Sequence, residues 1–286
     1  MSGNRWVGIG VLLLALGAGC RPKHAEPVRY PALFDAAQNG DWADCRRHLE
    51  NGAVANARGP DGRSPLMAAA EHGHLEVVRN LVRILAAVNA RSPDGRTALM
   101  FAAGNGHADI VQFLADQGAA VDVAGDDGYT ALAFAAERNY PEIVRILLQK
   151  GAEVDAKGAA NYTPLIFAAE KGHLEIVRLL VEKGADVNLR GAVNYTPLIF
   201  AAQEGHLDVV RYLAERGVDI NVQGDDSYTA LIFAAENGHL DVVRFLMDHG
   251  ADWQATTADG RTALKAATAR RHVDIAEYLR AKGAQD

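Results

Sequence analysis

The chain repeats one short unit at a constant interval. The segment Asp61-Gly62-Arg63-Ser64-Pro65-Leu66 recurs, without insertions, at six later positions. Those copies begin at Asp94, Asp127, Ala160, Val193, Asp226 and Asp259. A fixed period between about 20 and 50 residues is typical of a solenoid, in which each unit packs against its neighbours only. The chain is therefore predicted to fold as a stack of units rather than around one central core.

Each unit carries the start and stop signals of two helices, most clearly in residues 161–188. Thr163 is predicted to cap the first helix and Pro164 to occupy its first position, where a missing N–H costs nothing. Gly172 is predicted to end this helix in a left-handed conformation, and Gly184 to end a second amphipathic helix. One unit alone buries too little apolar surface to offset the entropy of ordering it, so stacking is required for stability.

The unit resembles the ankyrin repeat in four motifs. They are Tyr162-Thr163-Pro164-Leu165, Ala168-Ala169, Gly172-His173 and Gly184-Ala185-Asp186-Val187-Asn188. The resemblance covers residues 61–286, and residues 31–60 resemble a divergent first repeat. It implies an all-α ankyrin-repeat solenoid of helix–turn–helix units joined by β-turn or hairpin loops. The predicted repeats, with the first and last as caps, are 31–60, 61–93, 94–126, 127–159, 160–192, 193–225, 226–258 and 259–286.

Several positions depart from the family pattern. A His that in the family follows Thr-Pro-Leu and hydrogen-bonds between repeats is absent, so apolar packing is expected in its place. The residues at that position are Met67, Met100, Ala133, Ile166, Ile199, Ile232 and Lys265. Leu85 stands where Gly ends the second helix, and we expect an altered turn because positive φ is costly for Leu. Asn139 is expected to keep the left-handed turn, and Arg271 to give a frayed C-terminal cap.

The first thirty residues are predicted to be a targeting segment and not part of the stack. The uncharged run from Trp6 to Gly19 is too short for a comfortable membrane span but suits a signal-peptide core. Its end, Leu16-Gly17-Ala18-Gly19-Cys20, resembles the bacterial lipobox, although Gly17 stands where that family prefers Leu. The resemblance implies cleavage of residues 1–19, acylation of Cys20 and a tether over residues 20–30. The alternative is an ordinary secretion signal cleaved nearby, with Cys20 incidental.

This leader predicts a protein of the bacterial cell envelope, anchored to a membrane by several acyl chains. Arg21 favours the periplasmic face of the outer membrane, because Asp at that position retains lipoproteins at the inner membrane of enterobacteria-like cells. Without the anchor the protein would be periplasmic or secreted. With Cys20 modified, Cys45 has no disulfide partner and is expected to be a small, partly buried side chain on a helix.

Composition and motifs argue against several functions. The net charge of −7 disfavours nucleic acid as a partner, because its binders need clustered Lys and Arg. We find no phosphate loop, zinc-binding motif or nucleophile elbow, and predict neither an enzyme nor a cofactor or metal. The Gly-His histidines, one per repeat, are too far apart to share a metal and by the resemblance bond the local backbone: His74, His107, His173, His206 and His239. Asp126-Asp127 and Asp225-Asp226 are expected to be solvated turn residues, with a carboxylate pair or cation site as the alternative.

An aromatic and basic strip is the strongest candidate for recognition. One position just before the helix N-cap, which the resemblance places on the loop lip of the concave groove, holds Tyr129, Tyr162, Tyr195 and Tyr228, with Arg63 and Arg96 at one end and Arg261 at the other. We call these seven residues the concave strip. Beside them run Phe101, Phe134, Phe167, Phe200 and Phe233. Two interpretations stay open: packing of repeat against repeat, or recognition of a partner, because Tyr and Arg are common interface anchors.

The sequence therefore predicts a monomeric scaffold whose concave face binds a protein or an extended peptide. A polar rim would flank the strip at Glu137, Arg138, Glu170, Lys171, Gln203, Glu204, Glu236 and Asn237. Three alternatives remain. They are an inhibitor or immunity protein that masks a toxic effector in the periplasm, an enzyme or small-ligand binder with a site on the Tyr and Asp lip, and a purely structural spacer.

Overall fold

The computed structural model describes residues 31–285, so the predicted signal peptide, Cys20 and the tether lie outside the described residues. Within this range the chain forms α-helices in consecutive pairs, joined by turns, and contains no β-strand. The first helices of the pairs are α1 (Pro31–Gln38), α3 (Pro65–Glu71), α5 (Ala98–Gly104), α7 (Ala131–Glu137), α9 (Pro164–Glu170), α11 (Pro197–Gln203), α13 (Ala230–Asn237) and α15 (Ala263–Arg270). The second helices are α2 (Trp42–Glu50), α4 (Leu75–Arg83), α6 (Ala108–Asp116), α8 (Pro141–Gln149), α10 (Leu174–Glu182), α12 (Leu207–Ala214), α14 (Leu240–Asp248) and α16 (Val273–Ala281). The all-α prediction is confirmed.

The predicted capping signals form the helix ends. Oγ1 of Thr163 accepts a hydrogen bond from the Ile166 amide at 3.3 Å, and Pro164 occupies the first helical position. Gly172 and Gly184 follow the ends of α9 and α10 with φ of 72° and 93°, a left-handed conformation that glycine adopts without cost. Because equivalent signals recur in each unit, all the pairs have nearly the same shape and can stack.

The helices form two layers. Each first helix packs against the first helices of its neighbours, and each second helix against the neighbouring second helices. Alanine pairs such as Ala168 and Ala169, both fully buried, allow the first helices to approach closely. The side chains that replace the family's His are buried as expected, with the exception of Lys265. Apolar contact between repeats therefore extends through the position where the family hydrogen-bonds.

Two of the expected irregularities do not occur. Leu85 adopts φ of 68° and makes the same turn as the glycines, although its side chain is 85% exposed. Arg271 takes φ of 65° at the end of α15, and α16 follows as a regular helix, so the C-terminal repeat is not frayed. The predictions of an altered turn and a frayed cap are wrong, because a left-handed penalty of about 1–2 kcal/mol is smaller than the packing that holds each pair. Asn139, at φ of 61°, keeps the turn as expected.

Hydrogen bonds join each repeat to the one before it. The Gly-His histidines bind the backbone of the preceding repeat and not the local backbone, which corrects the prediction. Their Nε2 atoms lie 2.8–3.0 Å from carbonyl oxygens 36 residues earlier, in His74, His107, His173, His206, His239 and also His272. Five of these rings, all but that of His173, lie close to a left-handed glycine of the preceding repeat. A Cβ on Gly172, for example, would lie 2.5 Å from Nδ1 of His206.

Arginines tie the second helices together. In several repeats a guanidinium lies over the aromatic ring of the next second helix, at 5.1–5.7 Å from the ring centroid. The pairs are Arg79 with Phe113, Arg178 with Tyr212, Arg211 with Phe245 and Arg244 with Tyr278. Such cation–π contacts each contribute about 0.5–1 kcal/mol at exposed sites. These arginines are thus engaged in holding the stack.

Candidate functional site

The concave strip forms a continuous ladder with the phenylalanines beside it. Each of the first two tyrosine rings lies between the phenylalanine of its own repeat and that of the next repeat, and Tyr195 continues the pattern. Tyr162, for example, has ring centroids 5.1 Å from Phe167 and 5.2 Å from Phe200. These spacings are those of favourable aromatic pairs, worth about 0.5–1.5 kcal/mol each beyond burial. The rings of the strip therefore hold repeats together, as one of the two interpretations expected.

The arginines extend the ladder at both ends. The guanidinium of Arg63 lies 5.3 Å from the ring centroid of Phe101, and that of Arg96 lies 4.8 Å from Phe134. At the other end, Arg261 lies 5.6 Å from the ring of Tyr228. All seven predicted site residues thus line one face of the stack. These residues differ in how many of their hydroxyl and guanidinium groups already have hydrogen-bond partners within the chain.

Tyr195 is the least available member of the strip. Its side chain is buried, and its hydroxyl donates a hydrogen bond to Asp226 in the next repeat. Burial and the neighbouring Asp226 raise the pKa of this hydroxyl well above its usual range. Tyr195 thus acts mainly as a link between repeats.

Tyr228 belongs to a saturated cluster at the C-terminal end. Its hydroxyl donates to Oε2 of Glu236 at 3.0 Å and accepts from Arg261 at 2.6 Å. The other carboxylate oxygen of Glu236 accepts from Arg270 at 2.8 Å. Burial alone would raise the pKa of Glu236, but the bonds from Arg270 and Tyr228, with the charge of Arg261, outweigh burial and lower it below its usual value of 4.5. Every polar end of this cluster has a partner.

The middle of the strip is open. A groove of about 340 Å³ lies over the fourth and fifth repeats, and its walls include Tyr129, Glu137, Tyr162, Glu170 and Lys171. Burial, followed by the charges of nearby carboxylates, raises the pKa of the Tyr129 hydroxyl. Burial and the charge of Glu170 raise that of Tyr162 to about 12. Both hydroxyls are therefore neutral donors at physiological pH and lie close to carboxylates. Arg96 acts on Tyr129 through its charge, but no arginine among the described residues donates a hydrogen bond to either hydroxyl, as Arg261 does to Tyr228.

The paired aspartates at the loop tips serve the stack. Asp127 accepts from Arg96 at 2.8 Å and from the Tyr129 amide at 3.0 Å. Asp226 accepts from Tyr195 and from the Tyr228 amide. The second aspartate of each pair holds its repeat's turn and bonds the preceding repeat. These contacts engage the carboxylates in loop structure, so they do not form a carboxylate pair for acid–base chemistry.

Sequence reasoning missed a change of turn at two loop tips. Where the other repeats have Asp before the left-handed residue, repeats five and six have Ala160 and Val193, with φ of 55° and 48°. Each is followed by a second left-handed residue, Asn161 or Asn194. Positive φ is an outlier for a β-branched residue, and Val193 is also 50% exposed. The available signal was Asn after Ala or Val, at the place where most other repeats have Asp-Gly. The tip at Ala160 borders the open groove.

The described residues offer no candidate for a metal site or a membrane span. Between residues 31 and 285, no three His, Cys, Asp or Glu side chains are grouped so that they could bind a metal ion. In the same range, no helix has both the length and the hydropathy to cross a bilayer. Cys45 lies on α2 and is fully buried, which is more than the partial burial expected, and burial with nearby aspartates raises the pKa of its thiol to about 11.

Comparison with known proteins identifies the repeat. A family model described as ankyrin repeats (3 copies) matches residues 9–90, 33–122, 80–158, 156–224 and 217–286. No curated protein sequence matches the chain. Ankyrin repeats are typically non-catalytic scaffolds that mediate protein–protein interaction. The helix pairs, their caps and the family match together show that the chain belongs to the ankyrin repeat family.

Proposed function

We propose that this protein is exported to the bacterial cell envelope, is held at a membrane by acyl chains on Cys20, and binds a protein or peptide partner through its concave strip. One observation carries the binding part: the middle of the strip is a groove lined by tyrosines and glutamates whose polar ends are only partly paired within the chain. Tyrosine edges beside charged groups are common anchors of protein interfaces. The lipobox-like end of the leader supports the anchor, and we expect the chain to act as a monomer.

Bulky substitutions on the groove face should remove partner binding. Lys171→Trp with Glu204→Trp adds bulk at two exposed positions on that face, and Glu182→Trp with Glu215→Trp adds the same bulk on the side of the second helices. We expect the first variant to recover much less of a specific partner from envelope extract than the second, by quantitative mass spectrometry. Equal recovery by both variants would contradict the proposal, as would absence of any partner that the wild type enriches.

Replacing Cys20 by serine should release the protein from membranes. Each buried CH₂ of an acyl chain contributes about 0.8 kcal/mol to membrane affinity, so several chains hold a protein essentially permanently. A protein without acyl chains lacks this anchor. We expect wild-type protein in the membrane fraction and Cys20→Ser protein in the soluble fraction, with Cys45→Ser as the control that stays membrane-bound. Unchanged partitioning of the Cys20→Ser variant would reject lipid anchoring while leaving partner binding untouched.

A further inference from the structure

The two ends of the concave face show how this surface binds a guanidinium. At the N-terminal end, Arg63 occupies the strip position and forms an ion pair with Glu71, on the first helix of the same repeat. At the C-terminal end, Tyr228 and Glu236 occupy those same two positions of their repeat. There the next repeat supplies Arg261, 2.6 Å from the Tyr228 hydroxyl, and Arg270, 2.8 Å from Glu236. In both places a carboxylate of the first helix is neutralised by arginine from the chain itself.

The fourth and fifth repeats contain the same pair without those arginines. Two further Tyr–Glu pairs have the same sequence separation as Tyr228 and Glu236: Tyr129 with Glu137, and Tyr162 with Glu170. The residue that corresponds to Arg261 is Tyr162 for the first pair and Tyr195 for the second.

The carboxylates of the middle repeats are incompletely neutralised. Lys171 forms an ion pair with Glu170 at 2.9 Å. Glu137 forms no ion pair within 4 Å in residues 31–285, and Arg138 next to it donates to the Gly104 carbonyl at 2.9 Å. Lys171 acts on Glu137 only through its charge, while its ammonium is paired with Glu170. The groove therefore holds one carboxylate without a direct ion pair, beside two tyrosine rings and their hydroxyls.

The geometry points to an arginine side chain of the partner as the occupant of this groove. The inference rests on the proposed function, because it names the chemistry of the partner that the strip binds. In the bound state the guanidinium donates to the Glu137 carboxylate and to the Tyr129 hydroxyl, and lies against the ring of a strip tyrosine, as Arg261 does within the chain. The groove volume of about 340 Å³ is within the range of ligand pockets, about 300–1,000 Å³.

Arginine fits this groove better than other side chains. Its planar guanidinium donates several hydrogen bonds in one plane and also stacks on aromatic rings, whereas lysine offers a compact and strongly hydrated charge. An acidic side chain would face Glu137 and Glu170 and be repelled. An apolar side chain would cover the tyrosine hydroxyls and the Glu137 carboxylate without pairing them, and burying unpaired polar groups costs free energy.

The site can be tested with a minimal probe and a site-resolved signal. The full-length protein, with ¹³C-labelled tyrosine and in a non-ionic detergent, is titrated with N-acetylarginine amide, and with N-acetylcitrulline amide as the uncharged analogue. We expect the ring signals of Tyr129 and Tyr162 to move with arginine amide and saturate in the millimolar range, while that of Tyr228 stays in place. Glu137→Gln should weaken the binding about tenfold, because charge-assisted hydrogen bonds are about twice as strong as neutral ones. Equal shifts with citrulline amide, or no shift at Tyr129, would overturn the inference.

Two further variants test the inference by removing the arginines from the filled site at Tyr228 and by adding an arginine to the open site at Tyr129. Arg261→Gln with Arg270→Gln removes the internal arginines, so the Tyr228 signal should now respond to arginine amide. Tyr162→Arg places a guanidinium where Arg261 stands relative to Tyr228, so the Tyr129 signal should stop responding. The chain already has arginine at this position in other repeats, at Arg63, Arg96 and Arg261, which favours normal folding of that variant. A Tyr129 response that persists in Tyr162→Arg would also overturn the inference.

The outcome separates this inference from the proposed function. Partner capture that depends on Lys171 and Glu204, combined with no response to arginine amide, keeps the scaffold function and rejects the arginine. A response to arginine amide without any captured partner supports the groove chemistry and counts against the proposed function. The probe experiment needs no knowledge of the partner, so each result stands alone.

Discussion

Replacing Gly128 by alanine should lower the free energy of unfolding by about 3 kcal/mol, the sum of a backbone penalty and a steric one. Gly128 forms the tip of the loop in the fourth repeat with φ of 77°, a conformation that costs alanine about 1–2 kcal/mol. A Cβ there would also lie 2.8 Å from the Ala159 amide nitrogen and 2.9 Å from the Gly158 carbonyl carbon. These atoms are backbone, so the segment that leads into the fifth repeat must move away. Overpacking of this kind typically costs about 1–3 kcal/mol.

Gly260→Ala provides the matched control. Gly260 holds the same position in the last repeat with φ of 79°, and no atom lies within 4 Å of its added Cβ. We expect this substitution to cost only the conformational penalty, about 1.5 kcal/mol. Urea denaturation followed by circular dichroism measures both. Equal losses in the two variants would mean that loop contact between repeats contributes little, and a loss confined to Gly260→Ala would contradict the geometry.

Replacing Glu236 by glutamine should cost about 2 kcal/mol at neutral pH, because hydrogen bonds to charged groups contribute about 1.5–3 kcal/mol each. The carboxylate accepts from Tyr228 on one oxygen and from Arg270 on the other. An amide offers one acceptor only, so its NH₂ group must face one of these donors. Glu204→Gln is the control and should change stability little, because Glu204 is exposed and accepts a hydrogen bond from the neighbouring Gln203.

The cost of Glu236→Gln should depend on pH in one direction. The pKa of Glu236 is lower in the folded than in the unfolded chain, so its contribution is complete above the unfolded value of 4.5. The contribution is lost as the pH falls through the lowered folded value, where the carboxyl becomes protonated in both states. The difference between wild type and variant should therefore narrow below the unfolded pKa and stay constant above about pH 6. A difference that grows in acid would contradict the assignment of the shift.

Local signals made the architecture predictable. Each helix pair is specified within its own repeat: Thr163 and Pro164 start a helix and Gly172 ends it. Because similar signals recur in every copy, a departure from the pattern in one copy leaves the fold unchanged. Leu85 is such a case: its turn was misjudged because the energy of stacking is not visible in a single residue and outweighs the left-handed penalty.

The state of the candidate site could not be predicted in the same way. The sequence placed the concave strip on one face and left packing and recognition as open interpretations. What separates Tyr228 from Tyr129 is whether an arginine in the following repeat completes the cluster, and that contact exists only after repeats have stacked. That contact depends on distances across the interface, for which the sequence of one repeat contains no signal. The left-handed tips at Ala160 and Val193 differ in this respect, because Asn161 and Asn194 were a signal within their own repeats.

The residues at the two ends of the described stack bear on self-assembly. Within the stack, most interfaces place a glycine against the His of the following repeat. The last repeat has Arg271 in place of that glycine, and the first repeat has Asp41 in place of the His, where its carboxylate caps α2. A second copy added head to tail would thus bring an arginine Cβ and an aspartate together at a junction made for glycine and imidazole. This mismatch opposes head-to-tail growth of the described stack into filaments.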